Sequence, residues 1–250
     1  MRGVLSAIYS ACVYAFFLAV FVYAILFVEN LFVWKTIDSG FEGPLIPSLL
    51  INGALLGLFA AQHTIMARPG FKKWWTKIVP PEAERSTFVL AASICLALVC
   101  WQWRPLPELV WSIDDPSLAA LISAASWAGW GLLLASTFLI SHFHLFGLHQ
   151  GFARIMNIKQ GDAQFVTPLF YKWIRHPLYA GFIIAFWAAP HMSVGHLFFA
   201  VMTTGYILVG IWFEERDLMN ELGERYRVYR RQVPMLIPRI LPKTRNPHVS

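Results

Sequence analysis

The sequence predicts an all-α, polytopic integral membrane protein. The first indication is composition: hydrophobic residues make up 57% and charged residues 14% of the 250 residues, whereas soluble proteins contain about 45–50% and about 25%. A soluble globule of this size cannot bury so much apolar surface, and a disordered chain would contain less of it. The second is that apolar residues form segments long enough to cross a hydrocarbon core of about 30 Å as helices. The third is an uneven distribution of basic residues among the loops.

Four apolar segments are predicted to be plain transmembrane helices, because a helix needs roughly 20 apolar residues to cross that core. They are Leu5–Val33, Leu45–Met66, Phe88–Trp103 and Leu118–Ile140. The first segment is too long for the apolar core of a signal peptide and has no clear small-residue cleavage site. We therefore predict that it is a retained span.

A fifth apolar stretch, Leu178–Phe213, is broken by Pro190 and Gly195. Its first half holds about a dozen residues, which is short for a span and more typical of a re-entrant or protein-buried helix. We predict a Pro-broken helical hairpin that counts as one or two crossings, giving about five to six membrane segments in total. Spacings of three and four in the tail predict a cytosolic amphipathic C-terminal helix. Its apolar stripe consists of Leu218, Leu222, Tyr226, Tyr229 and Val233.

The basic residues predict the orientation. Of the 20 Lys and Arg residues, all but Lys35 and Arg104 lie at the N-terminus, in the loops after the second and fourth segments, or in the tail. The positive-inside rule assigns that side to the cytosol, so we expect both termini there, provided that the hairpin enters and leaves on this face. The net charge of +6 is then explained by topology and by contact with anionic lipid, and nucleic acid is not expected as a partner.

Polar residues that are suited to chemistry concentrate at three predicted cytosolic positions: His142–Gln150, Tyr171–Gly181 and Glu214–Leu218. Glu214 and Glu215 close an apolar stretch, where a charge must be solvated or partnered. One interpretation is that they cap the tail helix, since acids are favoured in a first helical turn.

The other interpretation of this acidic pair is a cation site. Neighbouring residues of a helix point about 100° apart, so one of the two glutamates can grip a cation while the other meets Arg175 or Arg216.

The Arg175-His176-Pro177 turn predicts a helix start, because proline suits the first helical position. Backbone amides at such a start attract an anionic group, and Arg175 adds a fork matched to a carboxylate. Alternatively the turn is an interfacial stop signal in which His176 bonds locally. A metal centre is not predicted, because His142 and His144 are two residues apart and point to different faces of a helix.

Several motifs occur together in the C-terminal part. Residues 175–181 read RHPLYAG, the paired glutamates follow a hydrophobic stretch, and residues 222–229 read LGERYRVY. This combination, over about residues 165–238, resembles the superfamily of membrane methyltransferases that modify isoprenylcysteine and phospholipids and use S-adenosyl-L-methionine (SAM). Upstream, the segments that carry a further likeness are 63–71, 80–87, 101–105 and 136–140.

These upstream segments resemble the methanethiol S-methyltransferase family and extend the likeness to nearly the whole chain. One departure is His149, where the family pattern has an arginine beside Gln150. The resemblance implies a single membrane-embedded methyltransferase domain over residues 1–250, in the cytoplasmic membrane of a bacterium. Residues 1–140 would supply the N-terminal helices and residues 141–250 the cofactor-binding part.

The resemblance further implies SAM-dependent methylation of methanethiol to dimethyl sulfide, with S-adenosyl-L-homocysteine (SAH) as the other product and the cofactor at the cytosolic face. The residues expected to bind the cofactor are Gln150, Arg175, His176, Pro177, Tyr179, Gly181, Glu214, Glu215 and Tyr226.

The thiol acceptor must lose its proton, because the thiolate is the nucleophile. The candidate catalytic bases are His142, His144, His176, Tyr179 and Glu215. Alternatively, the positive charge of SAM stabilises the thiolate and no dedicated base exists. Two other functions stay open: a methyltransferase with a long lipid-like acceptor, and a non-catalytic or redox membrane protein of a nitrogen-oxide-linked type.

Overall fold

The computed structural model describes residues 2–153, 155 and 168–239. Five of its helices are long and apolar enough to cross a membrane, which confirms the prediction of an all-α, polytopic membrane protein. These helices are α1 (Arg2–Val28), α2 (Leu45–Ala67), α4 (Pro81–Gln102), α5 (Pro116–Ile140) and α9 (Val194–Leu222).

Shorter elements connect the long helices within the described ranges. They are α3 (Pro69–Trp75), β1 (Leu109–Ser112), α6 (His142–Leu145), α7 (Leu148–Ala153), a 3₁₀ turn (Leu169–Lys172), α8 (Pro177–Trp187), β2 (His191–Ser193) and α10 (Glu224–Gln232).

Two helix boundaries differ from the prediction for local reasons. Helix α1 ends at Val28 and not at Val33, because Asn30 adopts a left-handed backbone with φ of 56°, a conformation that commonly ends helices. Helix α4 begins at Pro81, seven residues before the predicted start at Phe88. A proline in the first turn, followed by acidic side chains, is a favourable helix start even where the sequence is polar.

The broken hairpin consists of α8 and α9. Helix α8 has 11 residues and is about 16 Å long, which is shorter than a full span. The turn after it carries β2, which pairs with β1 in antiparallel orientation, and the Pro190 carbonyl accepts a 3.0 Å bond from the Ile113 amide. Since β1 lies beside the start of α5, the turn lies at that end of the bundle, and both arms of the hairpin point to the opposite end.

Helix α9 continues past Phe213, where the sequence analysis ended the hairpin, to Leu222. Glutamate does not interrupt a helix; the helix ends at Gly223, whose φ is 57°. Glu214 and Glu215 therefore lie inside α9, and the interpretation that they cap the tail helix is wrong. The predicted amphipathic segment is divided at Gly223, with Leu222 in α9 and Tyr226 in α10.

Helices α5 and α8 pack with their backbones in close contact. A Cβ atom added to Gly129 would lie 2.7 Å from the Ala185 amide nitrogen, and one added to Gly181 would lie 2.7 Å from the Gly129 carbonyl oxygen. The central core lies around this pair and contains large buried rings such as Trp103 and Trp130. Close packing of this kind, through small residues, is common between helices in membranes.

The connecting segments gather at the two ends of the bundle. At one end Ser193 donates to Asp38, and the Asn52 side chain bonds the backbone of Arg104. The other end carries α3, α6, α7 and α10. Several basic residues used for the predicted orientation, namely Arg154, Lys159, Lys243 and Arg245, lie outside the described residues.

Candidate functional site

The Arg175-His176-Pro177 turn lies against α9 and the tail. Pro177 is in the first turn of α8, as the sequence indicated, and His176 is its N-cap. The backbone amides of Arg175 and His176 donate to the carbonyls of Pro234 and Met235, at 2.9 and 3.1 Å. The tail that follows α10 therefore fixes the backbone of the turn.

Glu215 links this turn to α10. Its carboxylate is 5% exposed and accepts a 2.7 Å bond on Oε1 from Arg175 Nε, while His176 Nε2 lies 3.1 Å from the same oxygen. Arg230 Nε of α10 lies 3.1 Å from Oε2. Burial of a carboxylate is costly unless it is paired and hydrogen-bonded, and these three partners meet that requirement.

Glu214 faces a different direction. Its side chain is 44% exposed, and its Oε2 lies 3.9 Å from His176 Nδ1, which is too long for a hydrogen bond. Together with burial, its charge raises the pKa of Tyr179. The two adjacent acids therefore differ: the Glu215 oxygens are engaged by the chain itself, whereas the Glu214 carboxylate is accessible.

Tyrosine rings surround the acidic pair. Tyr226 is 1% exposed, and its ring centre lies 5.9 Å from that of Tyr229. The Tyr229 hydroxyl donates to the Tyr171 carbonyl at 2.5 Å. Burial raises the pKa of Tyr229 to about 12, and burial together with the charge of the nearby glutamates raises the pKa of Tyr226 and Tyr171. These phenols therefore stay protonated at neutral pH.

His142 belongs to a second polar group, between α1 and α5. Its Nε2 lies 2.7 Å from the Tyr14 hydroxyl and its Nδ1 lies 2.8 Å from Thr137 Oγ1. The ring also stacks on Phe138, with ring centres 4.3 Å apart. Burial lowers the pKa of His142, so the neutral ring joins the two helices.

His144 and Gln150 lie in the same region, on α6 and α7. Gln150 donates to the His144 carbonyl at 3.1 Å, and the His144 ring lies 5.5 Å from that of His149. Burial, together with the neighbouring His149 and Arg85, lowers the pKa of His144. The Oε1 atom of Gln150 and the Nδ1 atom of His149 are buried and have no hydrogen-bond partner among the residues that the structure describes.

The candidate site residues predicted from the sequence thus lie in two separate groups in the structure. The structure brings together Arg175, His176, Pro177, Tyr179, Glu214, Glu215 and Tyr226. His142, His144 and Gln150 make their contacts with α1, α5 and one another. Gly181 packs against the backbone of α5, and its expected contact with the cofactor stays a prediction.

Sequence reasoning did not single out Arg230, and it did not predict the backbone contact of Tyr171. Arg230 is one of many basic residues in the tail, and no spacing relates it to Glu215 fifteen positions earlier. Tyr171 contributes its backbone carbonyl, which no side-chain pattern reveals. Within the part of the chain that the structure describes, no three His, Cys, Asp or Glu side chains form a group that could hold a metal ion.

Comparison with known proteins identifies one matching family and several relatives of the chain. The family model described as NnrU protein matches residues 49–233. The chain is 48% identical over 238 residues to a methanethiol S-methyltransferase of Mycobacterium tuberculosis, covering 95% of this chain and 98% of that one. It is 50% identical over 234 residues to methanethiol S-methyltransferase 1 of Bradyrhizobium diazoefficiens, covering 94% and 82%. Nurim of Bos taurus is a more distant relative, 26% identical over 187 residues, with coverage of 70% and 69%. No solved structure matches the chain.

Proposed function

The chain belongs to the NnrU protein family and to the methanethiol S-methyltransferases within it, and we propose that it transfers a methyl group from SAM to methanethiol, forming dimethyl sulfide and SAH. The observation that carries the proposal is the identity of 48% that extends over 98% of a methanethiol S-methyltransferase. This agrees with the family expected from the motifs at residues 175–181 and 214–229.

The residues of the site fit the methyl donor. SAM presents an ammonium, a carboxylate, a sulfonium cation and an adenine, and therefore requires an acid, hydrogen-bond donors and aromatic surface. Glu214 supplies an accessible acid. The amides of Leu178 and Tyr179 precede the first helical hydrogen bond of α8, which runs from Ala180 to His176, and amides in that position suit an anionic group. The partly exposed Tyr179 ring supplies aromatic surface, whereas the Tyr226 ring is 1% exposed and belongs to the packing of the site.

We assign different roles to the two glutamates. Arg175, His176 and Arg230 engage the Glu215 carboxylate, so Glu215 holds the turn in place and is not the catalytic base. Glu214 holds the ammonium of the donor. Arg175 also donates to the Val233 carbonyl at 2.6 Å, so its fork stabilises the turn and the tail, and the helix start provides the donors for the carboxylate.

Positioning is the main task of this site. The sulfonium of SAM supplies an activated methyl group, so the chain has to hold the acceptor in line with it, which supplies roughly 7–11 kcal/mol in favourable cases. His176 contributes by filling the space between Glu214 and Glu215. Both of its ring nitrogens face these carboxylates, and we therefore assign it to positioning.

The proposed site lies at the cytosolic face. The hairpin arms, α3 and α10 reach the end of the bundle that carries most of the basic residues of the described chain, and SAM is dissolved in the cytosol. We propose that the chain is one domain over residues 1–250, in a bacterial cytoplasmic membrane with both termini in the cytosol.

An assay of the purified protein in detergent tests the function directly. Incubation with SAM and methanethiol should release dimethyl sulfide, measured by gas chromatography of the headspace, and calorimetry should register binding of SAH. Methylation of prenylcysteine or phospholipid without dimethyl sulfide would instead indicate the lipid-like acceptor. An absence of SAH binding, with bound haem or iron seen as absorbance, would indicate a redox protein.

A further inference from the structure

His63 lies in α2 among aromatic side chains of three helices. Its ring stacks on Phe59 of the same helix, with centres 5.5 Å apart and planes inclined by 24°. Phe88 of α4 lies 4.9 Å away, and Tyr206 of α9 lies 6.5 Å away at an angle of 88°. The ring is only partly buried, so these neighbours do not close the space around it.

Within residues 2–153, 155 and 168–239, the Nδ1 atom of His63 is buried and has no hydrogen-bond partner, and neither has Oε1 of the preceding Gln62. Buried polar atoms are almost always paired, and an unpaired one requires an explanation, such as a ligand. The unpaired His63 Nδ1, beside the rings of Phe59 and Phe88, forms a small subsite with an acceptor of hydrogen bonds and an apolar surface; Gln62 points about 100° away on the same helix. That combination suits a small molecule with one polar hydrogen and one apolar group.

Tyr206 of α9 relates this subsite to the proposed SAM site. Its ring borders His63, its hydroxyl lies 3.5 Å from Thr64 Oγ1 of α2, and it is close enough to Tyr179 for the two phenols to interact electrostatically. At the end of α2, Arg68 Nη1 lies 3.2 Å from Asp217 Oδ2 of α9. Contacts at Thr64 and Arg68 therefore tie the C-terminal part of α2 to α9.

We propose that His63 binds the methyl acceptor and is its catalytic base. This inference rests on the proposed function. In the proposed step, His63 Nδ1 takes the thiol proton of methanethiol, and an electron pair of the thiol sulfur forms the new S–C bond. The pair of the S–C bond that breaks stays on the sulfur of the donor, so the products are dimethyl sulfide, SAH and an imidazolium. Phe59 and Phe88 contact the methyl group of the acceptor.

Two of the other histidines considered for this role already have polar side chains beside both ring nitrogens. His142 has a hydroxyl on each ring nitrogen, and His176 faces a carboxylate with each. The charged and titratable groups that face His63 from the packed elements are Arg85 of α4 and Tyr206 of α9. The Arg85 cation favours a thiolate that forms beside the ring. It also disfavours the imidazolium, so it weakens the ring as a proton acceptor and speeds release of the proton after each turnover.

Two variants test the proposal with the full-length protein. His63→Phe keeps a ring for stacking and removes the unpaired nitrogen, so thermal unfolding in detergent should be unchanged or occur at a higher temperature. His63→Asn keeps a polar atom near the position of Nδ1, but this atom is not basic. In both variants we expect kcat/KM for methanethiol to fall by about 10²–10⁴-fold, the usual range for loss of a general base, while the Kd for SAH stays within about twofold.

The dependence of kcat/KM on the acidity of the thiol and on pH distinguishes a catalytic base from a residue that only supports the structure. The loss of kcat/KM in both variants should be smaller with the more acidic 2,2,2-trifluoroethanethiol than with methanethiol. It should also become smaller as the pH approaches that at which the thiol ionises unaided, because the thiolate is then formed without a base. The matched control is His196→Gln. His196 also has a buried, unpartnered Nδ1, but it lies at the opposite end of α9, and its replacement should leave the pH profile unchanged.

A measurement without turnover completes the test. In protein labelled with nitrogen-15 at histidine, methanethiol added in the absence of SAM should shift one ring resonance, which is missing in His63→Phe. Retention of kcat/KM within about threefold in both variants, a uniform deficit for all thiols, or an unchanged His63 resonance would overturn the assignment. Failure of the wild-type protein to form dimethyl sulfide or to bind SAH would instead refute the proposed function.

Discussion

Glu214 and Glu215 are neighbours in the sequence, but their surroundings give them different functions. Three partners hold the Glu215 carboxylate at 5% exposure, whereas the Glu214 side chain is 44% exposed. On a helix this divergence follows from the 100° step between residues. One acid can then belong to the protein's interior while the other is available to a ligand, and the two contributions can be separated by mutation.

Glu214→Gln should weaken SAH binding without affecting the fold. Removal of a charged partner for the ammonium costs about 1.5–3 kcal/mol, which corresponds to a rise in Kd of roughly 10- to 150-fold. Isothermal titration calorimetry measures this change, and the temperature of unfolding should stay the same. Glu221→Gln, an exposed glutamate two turns further along α9, is the control and should bind SAH normally. Normal affinity in Glu214→Gln would exclude the ammonium role.

Glu215→Gln should chiefly destabilise the protein. The substitution leaves Arg175 and His176, both nearly buried, without their carboxylate, and breaking a buried ion pair costs about 3–5 kcal/mol. The value should lie toward the lower end, because the Arg230 side chain is 48% exposed and solvent screens its charge. The unfolding temperature in detergent should be lower for Glu215→Gln than for Glu214→Gln. Equal unfolding temperatures would show that Glu215 does not hold the turn.

The stability should depend on pH through His142. Burial lowers the pKa of His142 below its ordinary value of 6.5, so the unfolded chain binds a proton more readily than the folded one. The stability that comes from the neutral ring is therefore present above pH 6.5 and is lost as the pH falls below it. The unfolding temperature should decrease between about pH 7 and about pH 5, and the slope should be smaller in His142→Asn. An identical slope in this variant would assign the effect to other groups, among them His144, whose pKa is also lowered.

The parts of the site that are contiguous in the sequence could be predicted, whereas the contacts between distant segments could not. The helix start at Pro177 and the paired acids are contiguous motifs, so their chemistry is readable from a few letters. Arg230 could not be singled out, because its contact with Glu215 depends on how α10 folds back after Gly223. His63 was visible as a histidine, but its unpaired nitrogen exists only through the packing of α2 against α4 and α9.

Among the helices, α8 connects the core to the site. It begins at Pro177, immediately after the residues that meet Glu215, and it is held against α5 by the contact between Gly129 and Gly181. The sequence analysis predicted the hairpin from its proline but ended the second arm too early at Phe213. Charged residues mark where lipid ends, whereas the end of a helix depends on its backbone, here the left-handed Gly223.

Gly181→Ala should disturb both packing and binding. The added Cβ would lie 2.7 Å from the Gly129 carbonyl oxygen and 2.8 Å from the Leu133 amide nitrogen, and since both are backbone atoms the helices must separate. Overpacking of this kind costs about 1–3 kcal/mol, and SAH affinity should fall because the start of α8 moves with it. The control is Gly131→Ala in α5, where no atom lies within 4 Å of the added Cβ and the change should stabilise the helix slightly. Equal effects of the two substitutions would contradict the packing role.

The arrangement of the whole chain ties the chemistry to one side of the membrane. The segments around Asp38, Arg104 and Pro190 meet at one end of the bundle, and the residues of the proposed SAM site lie toward the other. If the positive-inside rule holds for this chain, the donor site opens to the cytosol. Methanethiol is small and apolar, and it can reach His63 from the lipid. The orientation is therefore a condition of the proposed function.

Labelling of single cysteines tests that orientation in intact cells. With the native Cys12, Cys95 and Cys100 replaced by alanine, Asp114→Cys should react with a membrane-impermeant maleimide added outside, because Asp114 is exposed near β1. Lys73→Cys, exposed in α3 at the basic end, should react only after the membrane is permeabilised. The opposite pattern would place Glu214 and the turn at Arg175 on the side that lacks SAM. A methyltransferase cannot work in that orientation, so the result would refute the proposed reaction as well as the topology.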